Sequence, residues 1–88
     1  MYYAYILKSL KDGKLYAGRT KTLHKRLDQH QTGLVQSTKG RRPLALIFYE
    51  GFITQSDAIR RERYFKTTKG KKALKLMLRD SLKSQIQT

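Results

Sequence analysis

Tyr2-Tyr3-Ala4-Tyr5-Ile6-Leu7 and Lys14-Leu15-Tyr16-Ala17-Gly18-Arg19 are two short runs of aromatic and aliphatic residues, with Asp12-Gly13 between them. Strand formers on either side of Asp-Gly, a dipeptide that tolerates the positive φ angles of a tight turn, read as a β-hairpin. The pattern predicts strand β1 over residues 2–7 and strand β2 over 14–19. With Asp12 and Gly13 as a two-residue loop, Tyr5 faces Thr20, Leu7 faces Gly18 and Ser9 faces Tyr16. Tyr5 and Tyr16 then share one face of the hairpin. A three-residue loop would reverse that parity.

Beyond the hairpin, Thr22 offers an N-cap oxygen, and Leu23, Arg26, Leu27 and His30 follow at helical spacing until Gly33. This predicts helix α1 over 23–31. Residues 32–43 are polar and contain Gly33, Gly40 and Arg41-Arg42. They read as a surface loop whose two arginines are candidates for phosphate contact. The continuous apolar run Leu44-Ala45-Leu46-Ile47-Phe48-Tyr49 predicts β3 as the buried central strand. Thr54 with Asp57 three residues on resembles a capping box and opens helix α2, which runs through Lys66. Ala73, Leu74, Met77 and Leu78 recur at helical spacing among lysines and predict a third helix, α3, with a basic outer face. The expected architecture is α+β: a three-stranded antiparallel sheet flanked by helices, in the order β1-β2-α1-β3-α2-α3. One domain spans residues 1–80, and a fraying tail follows over 81–88.

The chain has 88 residues, enough for one small domain with a thin core. It lacks cysteine, which excludes a disulfide framework and thiolate zinc sites. No apolar stretch approaches the ~20 residues of a membrane span, and the N-terminal run does not have the make-up of a signal peptide. The expectation is a soluble, cytoplasmic protein without membrane association. Twenty Lys and Arg stand against six Asp and Glu, a formal charge of +14. Such a field attracts polyanions, so nucleic acid is the expected partner.

Several residues have types and positions suited to chemistry on a phosphodiester. Ala58, Glu62 and Phe65 lie on one helical stripe, so Glu62 should face the sheet. A carboxylate there needs a partner, because burying an unpaired charge costs several kcal/mol. A divalent cation is one candidate. An ordinary ion pair with Lys66, Arg61 or Arg63 is the other, worth about 0.3–0.5 kcal/mol. Arg26 and His30 project from one face of α1. An arginine donates two parallel hydrogen bonds to phosphate, and a histidine exchanges protons near neutral pH; each is also common as a plain helix-surface residue. The tyrosines could simply build a compact aromatic core. A phenol with a pKa near 10 needs a cation or a metal-bound water beside it to act as a base.

The ordered set Tyr3-Ala4-Tyr5, Tyr16-Ala17-Gly18, Arg19, Arg26, His30 and Glu62 resembles the GIY-YIG endonuclease superfamily, in particular its short stand-alone bacterial members. The resemblance covers residues 2 to about 78. It is nearest to the branch related to the nuclease domain of the bacterial excision-repair incision enzyme, whose L-x-x-R-L pattern matches Leu23-His24-Lys25-Arg26-Leu27. The chain departs from the family pattern at Tyr3, Ala4 and Ala17, while Tyr5, Tyr16 and Gly18 are kept. The resemblance implies hydrolysis of phosphodiester bonds, with DNA the expected substrate and repair or recombination the expected setting. It also implies one Mg²⁺ (or Mn²⁺) bound by Glu62. The residue matching Tyr5 helps deprotonate the attacking water, and the one matching Tyr16 orients hydrogen bonds. Arg26 would stabilise charge on the scissile phosphate, with Arg19 as a basic neighbour, and His30 would lie in the same proton network. A non-catalytic nucleic-acid-binding module and a basic adaptor protein are the competing expectations.

Overall fold

The computed structural model describes residues 1–83, so the expected end of the tail, 84–88, lies outside the described residues. The elements are β1 (Tyr2–Ser9), β2 (Leu15–Thr20), α1 (Leu23–Gln31), β3 (Leu44–Phe52), α2 (Gln55–Phe65), α3 (Thr68–Met77) and α4 (Arg79–Lys83), with a single 3₁₀ turn at Lys39–Arg41. The strands form one antiparallel sheet in the order β2-β1-β3. The expected α+β architecture is therefore observed.

The position of β3 is a correction. The central strand is β1, in which Ala4, Tyr5, Ile6 and Leu7 are consecutive and fully buried, and β3 is an edge strand. The unbroken apolar run of β3 has a different origin. A bulge against Ile6 and Leu7 shifts the pairing from Ile6↔Phe48 to Leu7↔Leu46 and leaves Ile47 as the extra residue. A bulge interrupts alternation, so Ile47 and Phe48 both pack on the α2 side, while Leu44 and Leu46 pack on the α1 side.

The hairpin register is a second correction. Tyr5 pairs with Gly18 and Leu7 with Tyr16, two residues away from the expected pairing. Ser9 N–H donates to the Lys14 carbonyl at 2.9 Å, closing a four-residue loop instead of a two-residue one. Side chains stabilise the longer loop. Ser9 Oγ accepts from the Lys11 and Asp12 N–H groups, and Asp12 Oδ1 accepts from Lys14 N–H. Because the shift is by two, face parity survives, and Tyr5 and Tyr16 do share a face.

Helix α1 ends as expected. Gly33 has φ +83°, and the Leu34 N–H donates back to the Gln29 carbonyl at 2.9 Å. The Thr22 side chain makes no capping bond. Thr54 does cap α2, accepting from Asp57 N–H at 3.3 Å. Helix α2 lays Ala58 and Phe65 onto the sheet, where Phe65 meets Phe48 edge to face at 6.1 Å. Ile6, Ala17, Leu74 and Leu78 complete this apolar core. Helix α3 crosses α2 at Gly70, where a methyl group would overlap the Tyr64 carbonyl oxygen. The chain breaks at Leu78 and restarts as α4, so residues 81–83 belong to a short helix, with Leu82 against the core.

Candidate active site

The other face of the sheet, under α1, is built differently. Tyr5 is 1% exposed, and its ring lies across Gly18, where a Cβ would come within 2.5 Å of the ring. Only a glycine opposite Tyr5 lets the phenol cross β2. The Tyr5 hydroxyl ends 2.7 Å from His30 Nε2, and His30 Nδ1 lies 2.7 Å from Thr38 Oγ1. His30 and Thr38 are as buried as Tyr5. Tyr16 meets the edge of the imidazole at a ring separation of 5.4 Å, and Tyr5 at 5.7 Å. No buried side-chain nitrogen or oxygen among the described residues lacks a hydrogen-bond partner.

Burial decides the protonation of this cluster. It pulls the His30 pKa down to about 4, helped by the positive charge of Arg26, so the imidazole is neutral at pH 7. A neutral imidazole has one N–H and one lone pair. Its two bonds therefore run in one sense: Tyr5 O–H donating to Nε2 while Nδ1–H donates to Thr38, or the reverse. Burial also raises the Tyr5 pKa, and Tyr16 and Glu62 push it the same way, while a hydrogen bond from Arg26 and its charge oppose them. The charges of Arg26 and Glu62 thus act on the phenol in opposite senses.

Glu62 reaches the site from the opposite side of β2. Arg19 shares a face with Ala17, which packs under α2. Its Nε donates to Glu62 Oε1 at 3.2 Å, and Lys66 Nζ donates to Oε2 at 3.0 Å. Of the expected ion-pair partners, Lys66 engages Glu62, whereas Arg61 pairs with Glu50. Arg26 Nη1 donates to Gln29 Oε1 at 3.0 Å and is half-buried.

Arg41 and Arg42, the phosphate-contact candidates of the loop, are engaged within the chain. Arg41 pairs with Asp12 at 3.7 Å, and Arg42 donates to the carbonyls of Lys39 and Gln31. Both fasten the loop. Thr38 is the buried polar residue the sequence did not reveal, since a threonine in a polar loop carries no sign of burial.

Among the described residues, no three His, Asp or Glu side chains gather into a metal cage. A lone carboxylate nevertheless suits a hard cation such as Mg²⁺, which keeps most of its waters and takes one or two carboxylates together with substrate phosphates. Glu62, 15% exposed at the edge of the site, is the residue that could hold it.

The sequence matches the profile of the GIY-YIG catalytic domain over residues 1–75. The chain belongs to the GIY-YIG family. It is also similar to proteins named UPF0213. One from Staphylococcus saprophyticus is 44% identical over 77 residues, covering 86% of this chain and 93% of that protein. One from Clostridium perfringens is 38% identical over 86 residues, covering 97% and 91%. The solution structure of a UPF0213 protein from Bacillus halodurans superposes with a TM-score of 0.54 at 33% identity, covering 98% of this chain and 89% of that one. At the level of the family, a GIY-YIG domain is a nuclease domain, and its substrate is nucleic acid. No helix among the described residues is long and apolar enough to cross a membrane.

Proposed function

We propose that this GIY-YIG chain is a small metal-dependent endonuclease that hydrolyses phosphodiester bonds in DNA, with Tyr5, Tyr16, Arg26, His30 and Glu62 as its working residues and cytoplasmic DNA repair or recombination as its setting. The observation that carries the reading is the buried bond sequence Tyr5–His30–Thr38 beside Arg26, in a chain of charge +14. A fold with so thin a core gains little from burying three polar groups, whereas a hydrolase needs a hydroxyl held at a fixed angle.

The residues divide the work. Thr38 fixes the ring of His30, and His30 fixes the direction of the Tyr5 hydroxyl, so that the phenol oxygen is set to accept a hydrogen bond from an attacking water. Tyr16 closes the other side of the imidazole. Arg26 supplies permanent positive charge where negative charge builds on the phosphate, and Arg19 is a second phosphate-binding cation. Glu62 would hold Mg²⁺, or Mn²⁺ in its place; when bound, such an ion supplies Lewis acidity toward the scissile phosphate and the leaving oxygen.

The test is cleavage of duplex, branched and single-stranded DNA with and without Mg²⁺. Cleavage should require the metal and should be lost in Glu62→Ala with the circular dichroism spectrum unchanged. Absence of metal-dependent cleavage across the whole panel would sink the proposal. A second reading, a binding module on the nuclease scaffold, is favoured by one observation: both Glu62 oxygens are engaged by cations. It predicts salt-sensitive DNA binding that is indifferent to Mg²⁺.

A further inference from the structure

The three side chains of the Arg19–Glu62–Lys66 group differ in exposure. Glu62 is 15% exposed, Arg19 42% and Lys66 53%. The carboxylate is the most covered of the three, in part by the two cations themselves, while both cations have open solvent to move into. They also come from different elements. Lys66 is one turn along from Glu62 at the end of α2, whereas Arg19 reaches over from the edge strand β2. Each takes a different carboxylate oxygen, so both oxygens are occupied together.

Ion pairs this exposed are weak and easily exchanged. A phosphodiester competes for both cations, accepting a fork of bonds from arginine and a point contact from lysine. A divalent cation meets the opposite situation. Its path to Glu62 is opposed by two positive charges about 3 Å from the oxygens it needs, within a chain of net charge +14.

We propose that Arg19 and Lys66 form a latch on Glu62. In the free protein they hold the carboxylate; when nucleic acid binds they transfer to its phosphates, and only then does Glu62 become available to a divalent cation. The inference rests on the reading of Glu62 as the metal-holding residue, and it adds an order of assembly. Nucleic acid raises the affinity for the metal, and by reciprocity the metal raises the affinity for nucleic acid by the same factor.

The test is a Mn²⁺ titration followed by the electron paramagnetic resonance signal of the free ion, on folded full-length chains. Arg19→Gln and Lys66→Gln should each tighten Mn²⁺ binding to the free protein, and the double variant should do so by about two- to thirty-fold. Lys75→Gln removes the same charge from the exposed side of α3 and serves as the control for long-range electrostatics. A hydrolysis-resistant phosphorothioate oligonucleotide should tighten Mn²⁺ binding to the wild-type chain, but not to Glu62→Gln, which corrects for ions condensed on the oligonucleotide itself. The latch is overturned if Arg19→Gln and Lys66→Gln do no more than Lys75→Gln. It is equally overturned if the oligonucleotide effect persists in Glu62→Gln. A chain that shows the coupling but cuts no DNA would remove the proposed activity and leave the latch standing. One that cuts while its Mn²⁺ affinity ignores both substitutions would remove the latch alone.

Discussion

The two faces of the sheet bury side chains of opposite character. Under α2 and α3, Ile6, Ala17, Phe65, Leu74 and Leu78 exclude water with hydrocarbon alone. Under α1, the same central strand turns Tyr5 toward a histidine, a threonine and a second tyrosine, and every buried polar atom there is hydrogen-bonded. Apolar packing is tolerant of shape but sensitive to lost volume, whereas a polar cluster is sensitive to the loss of a single atom. The apolar face should thus govern stability and the α1 face the placement of the Tyr5 hydroxyl, while Glu62 serves the chemistry from the α2 side of β2.

Tyr5→Phe is the sharpest way to break that contrast, because it removes one oxygen and keeps the ring across Gly18. Cleavage should fall by about 10²–10⁴-fold. Stability should fall by only about 1–3 kcal/mol, the cost of leaving His30 Nε2 unpaired. Single-turnover cleavage and urea unfolding on the same preparation read both quantities. If Tyr5→Phe unfolds the chain and leaves the rate per folded molecule intact, the assignment of the two faces is reversed.

Phe65→Ala probes the apolar face. It should cost about 3–5 kcal/mol in urea unfolding, with the rate per folded molecule unchanged. The effect of pH is next in size and belongs to the α1 face. The folded chain keeps His30 neutral down to about pH 4, whereas the unfolded chain protonates it from its ordinary value of 6.5. The unfolded state then binds more protons, so this stabilisation is whole above pH 6.5 and is lost as pH falls toward 4. The loss amounts to about 3 kcal/mol. Unfolding curves at stepped pH should show the decline in the wild-type chain and a shallower one in His30→Gln, where Asp12 and Asp57, whose pKa values folding lowers, still respond at the acid end. Smallest of all is Thr54→Ala, which lies on neither face. Loss of its cap should cost about 1 kcal/mol, measured by thermal unfolding, and should leave cleavage untouched.

The contrast between the faces also explains what the sequence disclosed. Strand runs, the Asp12-Gly13 turn region, the α1 stripe and the Thr54–Asp57 cap are local patterns, and each was legible. Face parity of Tyr5 and Tyr16 was legible because it survives any even change in loop length. The loop length itself was not, because it depends on Ser9 and Asp12 side chains competing for backbone N–H groups. Strand order was misread because a bulge and a central position both yield an unbroken apolar run. Glu62 facing the sheet followed from helical spacing, but its contact with Arg19 joins residues 43 apart. Thr38 and the anchoring of Arg41 and Arg42 depend on how a loop folds back, which no periodicity encodes.

The crossing of Tyr5 over Gly18 makes the triplets Tyr3-Ala4-Tyr5 and Tyr16-Ala17-Gly18 a single object. The third residue of the first triplet fills the space that the third residue of the second leaves vacant, much as a key fills its slot. Any side chain at position 18 would evict the phenol, and a small residue at position 5 would open a flat void over β2 with the outline of a free phenol molecule. Positions 5 and 18 are therefore coupled by shape before any chemistry is considered, and a redesign of this scaffold has to change them together.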